Sequence, residues 1–131
     1  MNQVPVKDVV WRCKSWPELG REELYGLLRL RSEVFVVEQD CAYQDLDDKD
    51  KVGLHVWMER AGQPAEEGGE VLATTRLLPA GVSYASEVSI GRVVTAQSVR
   101  RGGWGRELMR RSLDEVNRSW SGVPIRISAQ Q

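Results

Sequence analysis

The apolar positions divide the chain into alternating strand-like and helix-like segments. Val9, Trp11 and Cys13 alternate with Val10, Arg12 and Lys14, the period of a half-buried strand, and Pro17 ends it. From about residue 20 to 35 the period lengthens. Leu24, Leu27, Leu28, Val34 and Phe35 fall at helical spacing, and Glu22 and Glu23 suit the positive end of the helix dipole. Val36 and Val37 extend the apolar run past the expected end of that helix. Residues 54–59 and 71–78 read as two strands of a hairpin around a polar Gly/Pro/Glu turn, the second closed by Pro79. Residues 87–95 form a central strand in which Gly91 marks a bulge. Trp104, Leu108, Ser112, Val116 and Trp120 recur at every fourth position, so a helix runs from about residue 103 to 119, and residues 125–128 make a last short strand. The order β-α-β-β-β-α-β is a meander followed by a crossover helix. It predicts a single α/β domain with a mixed sheet whose last two strands are parallel.

Length and composition narrow the class. At 131 residues the chain is long enough for one real core, and no apolar run approaches the ~18 residues of a membrane span. Residues 1–8 lack a basic segment followed by an apolar run, so no secretory signal is visible and the cytoplasm is the expected compartment. One His and two distant Cys cannot build the usual Cys/His zinc site, no other metal is expected, and the two thiols read as free. The net charge of −1 hides an asymmetry: residues 1–70 hold 15 acidic and 9 basic residues, whereas residues 71–131 hold 4 acidic residues and 9 arginines. The second half is therefore suited to an anion, although solvated surface charge accounts for the split equally well.

Two segments carry candidate chemistry. The acidic stretch 38–50 resembles a calcium loop only superficially, because counted from Asp45 the sixth position is Asp50 instead of Gly and the twelfth is not Glu. The run Arg100–Arg101–Gly102–Gly103–Trp104–Gly105–Arg106 joins the central strand to the crossover helix. Its glycines allow a tight turn, and its N–H groups with the helix N-terminus make an anion site. It is no P-loop, since no Gly-Lys-Ser/Thr follows, and its glycine spacing is wrong for a dinucleotide fingerprint.

Arg100-x-x-Gly103-x-Gly105, after Val93–Val94–Thr95 and before Leu108–Met109, resembles the acyl-CoA-binding motif of the GNAT N-acetyltransferases. The run Arg31-x-x-Val34–Phe35–Val36–Val37–Glu38–Gln39-x-Cys41-x-Tyr43-x-Asp45-x-Asp47 is similar to that of the ElaA-like subgroup, as are Ile90–Gly91–Arg92–Val93 and Ala129–Gln130. The resemblance implies the GNAT acyl-CoA N-acyltransferase fold and acetyl-CoA as co-substrate, with an amine of a small molecule or protein as acceptor. It implies that loop amides from Arg101 to Arg106, thus Gly102, Gly103, Trp104 and Gly105, hold the pyrophosphate. The backbones of Val93, Val94 and Thr95 would pair with the pantetheine arm, and an N–H near Val93 would polarise the thioester carbonyl. Arg100, Arg101 and Arg106 are assigned to the phosphates, and Arg110 and Arg111 to solvent. Trp104 and Trp120 are expected to anchor the helix on the sheet.

Direct attack needs a neutral amine, hence a base or a water path. Glu87 is the candidate base, sharing a face with Ser89 and Gly91 in a regular strand, with Glu38 and His55 as alternatives, His55 having a structural reading as well. Glu38, Tyr43, Asp45 and Asp47 follow the first helix, where this fold binds its acceptor. A carboxylate cluster there favours a cationic amine, and a loop pinned by its own local bonds is the equal alternative. Members of the subgroup continue past Ala-Gln through a further helix and hairpin, and a Tyr on that helix protonates the thiolate. The chain ends at Gln131 without them, and Tyr25, Tyr43 and Tyr84 lie elsewhere. The expectation is therefore a C-terminally truncated domain, either completed as a homodimer through the exposed last strand or binding CoA with impaired turnover. A nucleic-acid binder is the weakest reading, for the arginines crowd one loop and one helix without a recognition motif.

Overall fold

A computed structural model describes residues 8–128. Five strands, β1 (Val9–Ser15), β2 (Leu54–Arg60), β3 (Val71–Leu78), β4 (Val88–Thr95) and β5 (Ile125–Ile127), form one sheet in the order β1-β2-β3-β4-β5. The first four are antiparallel neighbours, and β5 runs parallel to β4. The crossover between those two is α2 (Trp104–Ser119), and α1 (Arg21–Ser32) joins β1 to the meander. The mixed α/β architecture and the parallel last pair are those that the apolar periodicity predicts. The Ala129–Gln130 resemblance lies outside the described residues. No helix among those described is long and apolar enough to cross a membrane.

Each helix buries the face its periodicity defines. Leu27 and Leu30 of α1 are buried, as are Leu108, Ser112 and Val116 of α2. Thr75 Oγ1 lies 2.6 Å from Ser112 Oγ on α2, whereas the adjacent Arg76 meets Asp50, which also binds Arg31 of α1. Successive strand residues point to opposite faces, so the helices cover opposite sides of the sheet. Between them lie Trp57, Met58, Leu72, Leu77 and Ile90, all fully buried.

Two departures from the expected local structure shape the site. The first helix does not stop near residue 35. It continues as a wider π-helical turn over Glu33–Glu38, with Gln39 N–H donating to Val34 C=O and Cys41 N–H to Val36 C=O. Val34 and Phe35 stay buried through this turn, so packing carries the helix past its expected end. The bulge falls one residue beyond Gly91. Thr74 pairs with Val94 and Arg76 with Gly91, leaving both Arg92 and Val93 opposite Thr75. Arg92 takes the left-handed conformation, φ +51°.

Candidate active site

Among the described residues, the outer edge of β4 has no neighbouring strand from the bulge onward. Ser128 N–H donates to Ile90 C=O at 2.8 Å, the last bond between the β5 side and β4 among the described residues. At the far end of β4, Ala96 N–H donates to Leu72 C=O. Alternation then turns the N–H and C=O of Val94 toward β3 and those of Thr95 toward the open edge. This corrects the expectation for Val94, whose main chain belongs to the β3 ladder and whose side chain is buried. Val93 sits within the bulge, and Thr95 faces outward.

The glycine loop follows. Arg101 and Gly103 both adopt left-handed backbone, φ +71° and +83°, and Gly103 caps α2 without a side chain. The first intrahelical bond runs from Glu107 N–H to Gly103 C=O. The N–H groups of Gly103, Trp104, Gly105 and Arg106 therefore have no acceptor among the described residues. They open on a cleft of about 650 Å³ lined by Thr95, Val99, Arg100 and Arg101 as well as the helix start. A Cβ added at Gly103 or Gly105 would meet nothing within 4 Å. Exposed Arg101 and Arg106 form no ion pair among the described residues, so two guanidinium groups and a helix N-terminus set a positive field there. Arg110 and Arg111 bond Glu107 on the outer face and hold its carboxyl down to about 2. Trp104 packs against Trp11, ring centroids 6.4 Å apart, which anchors the start of α2 on the sheet.

The acceptor-side candidates separate into two kinds. Asp45 and Asp47 are taken up by arginines. Arg92 Nε reaches Asp45 Oδ1 at 2.8 Å and its Nη2 reaches Asp47 Oδ2 at 3.1 Å, while Arg76 Nη1 binds Asp47 at 2.7 Å. Arg31 holds Asp45 at 2.9 Å and Asp50 at 2.8 Å. Three arginines from α1, β3 and β4 thus clamp three aspartates of one loop. Asp50 C=O also bonds His55 Nε2 at 2.9 Å, which makes His55 a buried structural residue. Of the two readings for Asp45 and Asp47, the geometry is that of a pinned loop, although the pins are arginines from other elements instead of local turns. Glu38 and Tyr43 stand differently. Tyr43 packs on Phe35 with centroids 5.6 Å apart and lies under the Arg92 guanidinium. Glu38 ends the π turn and pairs with Arg100 Nη2 at 2.6 Å.

Glu87 immediately precedes β4 and meets Arg126 Nε at 3.4 Å. Arg126 also covers the Tyr84 ring, whose hydroxyl lies 3.0 Å from Ser128 Oγ. Ser89 and Gly91 pair with Leu78 and Arg76, on the sheet face that carries the clamped loop. Burial, reinforced by Glu115, pushes the Cys13 thiol up to about 12. The arginine clamp is the feature that sequence reasoning missed. Its traces in the sequence are Arg76 and Arg92 standing inside otherwise uncharged strands.

The model of the acetyltransferase (GNAT) family matches residues 13–129, a span that takes in the meander and the glycine loop. The chain belongs to the GNAT family. Within it, protein ElaA of Escherichia coli (strain K12) is 33% identical over 126 residues, spanning 93% of this chain and 76% of ElaA. The crystal structure of Escherichia coli ElaA matches this GNAT domain with a TM-score of 0.82 over 93% of it and 78% of ElaA. An acyl-CoA N-acyltransferase from Pseudomonas aeruginosa is 42% identical with the same TM-score, 0.82, over 94% of this chain and 80% of its own. A predicted acetyltransferase from Clostridium acetobutylicum, solved with acetyl-CoA, shares the fold alone, at 14% identity and TM-score 0.61 over 94% of this chain and 82% of that one. This GNAT domain is thus an ElaA-like acyltransferase domain.

Proposed function

We propose that this domain transfers an acetyl group from acetyl-CoA directly to an amine. The observation that carries the reading is the row of acceptorless N–H groups from Gly103 to Arg106, set between Arg101 and Arg106 beside the open edge of β4. The glycine N-cap leaves room for a pyrophosphate where any side chain would intrude, and the arginines neutralise its charge. Val93 and Thr95 offer main-chain groups along the strand edge, and an N–H within the bulge stabilises the oxyanion that develops on the thioester carbonyl. Glu87 accepts the proton of the incoming ammonium, directly or through a water. The amine nitrogen then forms the new C–N bond as the C–S bond breaks. The second amine proton is released as the thiolate leaves or is taken up by it, so no covalent enzyme intermediate is needed.

The test is thiol release from acetyl-CoA with a panel of polyamines, amino acids and peptides, beside calorimetry with CoA. Release with at least one amine, slowed about a hundredfold in Glu87→Gln with unchanged CoA affinity, is the expected result. Tight CoA binding without release for any amine would leave a CoA-binding module instead of an enzyme. Absence of CoA binding would remove the cofactor assignment altogether.

A further inference from the structure

The clamp takes up three of the carboxylates of the acceptor loop. Asp45, Asp47 and Asp50 are each held by two arginines, so three carboxylates are matched by three buried guanidinium groups. Glu38 lies outside this set. Its ion-pair partner is Arg100, the first residue of the glycine-loop motif and a lining residue of the cofactor cleft. The same guanidinium donates from Nε and Nη2 to Thr95 C=O at 3.2 and 3.0 Å. Thr95 C=O belongs to the open edge of β4, the edge assigned to the pantetheine arm. One side chain therefore bridges the cofactor edge and the acceptor loop, and Glu38 and Thr95 C=O are groups that the two substrates would claim.

We infer that Arg100 holds Glu38 in reserve, and that acyl-CoA binding releases this carboxylate to recognise a cationic amine. The inference rests on the acyl-CoA reading of the cleft. An arriving pantetheine amide competes for Thr95 C=O, and the phosphates offer Arg100 a doubly charged acceptor in place of a single carboxylate. Arg100 then leaves Glu38, whose charge is uncovered at the mouth of the acceptor loop. The acceptor amine is recruited as its ammonium and must shed a proton before attack, which is the demand placed on Glu87. Linkage requires the reciprocal effect: whatever acyl-CoA gains for the amine, the amine gains for acyl-CoA. Glu38 is accordingly a substrate-positioning and specificity residue, with a preference for amines that carry positive charge.

Calorimetry with CoA alone tests this without knowing the acceptor. Glu38→Gln removes the competitor for Arg100, so the variant is expected to bind CoA about three- to tenfold more tightly than the natural chain. Losing a negative charge near a polyanion would also tighten binding, and two controls separate the causes. Asp40→Asn, two residues along the same exposed turn, reports the general charge effect and is expected to change affinity less than twofold. In an Arg100→Ala background, which itself weakens CoA, Glu38→Gln is expected to have no further effect, because the competition has gone. Unchanged or weaker CoA binding in Glu38→Gln overturns the inference, and so does an equal gain in the Arg100→Ala background. A natural chain that fails to bind CoA overturns the cofactor reading itself, an outcome distinct from both.

Discussion

Gly103→Asp is expected to raise the dissociation constant for acetyl-CoA about a thousandfold without unfolding the domain. Gly103 is in the left-handed region, φ +83°, a conformation that Asp tolerates at a cost of about 1–2 kcal/mol. A Cβ at this position meets no neighbouring atom within 4 Å, so the backbone conformation is the whole of the cost. As an N-cap, Asp would accept hydrogen bonds from the Gly105 and Arg106 N–H groups and return roughly what the backbone conformation costs. The same bonds remove the anion site: the donors are satisfied, and a carboxylate stands where a pyrophosphate must approach. Like charges about 4 Å apart repel by about 4 kcal/mol near a protein surface, which gives the thousandfold figure. Calorimetry with acetyl-CoA and a thermal melt of the same sample read both effects. Unchanged affinity in a folded variant would remove the pyrophosphate from this loop.

Local signals account for what the sequence made legible. Alternation in β1, the turn between β2 and β3, four-residue spacing in α2 and the glycines of the loop are each decided by neighbours close in the chain, so they read correctly without tertiary knowledge. The bulge lies one residue beyond the glycine that marks it in the sequence. The left-handed residue is Arg92, held there by Asp45 and Asp47 from a loop more than forty residues away. Most arginines of the second half likewise face acidic partners instead of the cleft. Arg76 and Arg92 serve the acidic loop, Arg110 and Arg111 serve Glu107, and Arg126 meets Glu87, so the charge facing the cofactor cleft comes down to Arg100, Arg101 and Arg106. Composition recorded complementary halves. It could not record that most of these arginines are already paired within the fold, some across the halves and some inside the second.

Asp50→Asn tests that internal neutralisation, with an expected loss of about 3–5 kcal/mol in urea unfolding at pH 7. Asp50 is 4% exposed and accepts from Arg31 Nη1 and Nη2 at 2.8 and 3.2 Å and from Arg76 Nη1 at 3.1 Å. Asn keeps the shape but turns an amide toward those donors and leaves an uncompensated buried cation. Arg76 Nε already lacks a partner among the described residues, so the network has no spare acceptor. Exposed Asp48→Asn is the control, with an expected change within about 0.5 kcal/mol. A loss below about 1 kcal/mol for Asp50→Asn would mean that the loop is not clamped.

Acid should dismantle the same region in two stages. Burial holds the His55 pKa below its usual value, although the bond to Asp50 C=O opposes this. The unfolded chain therefore takes up a proton first, and stability declines as pH falls below about 6.5. Burial pushes Asp47 and Asp50 upward, but hydrogen bonds and charge from Arg76, and for Asp50 first from Arg31, outweigh it and leave both depressed. Their contribution is complete above about pH 4 and is lost as pH falls through the folded values beneath it. Because His55 bonds the main-chain carbonyl of residue 50 and not its carboxylate, Asp50→Asn should retain the first decline and lose part of the second. Urea midpoints measured from pH 7.5 down to 3 would separate the two, and an Asp50→Asn profile parallel to that of the natural chain throughout would refute the assignment of the acid stage to this cluster.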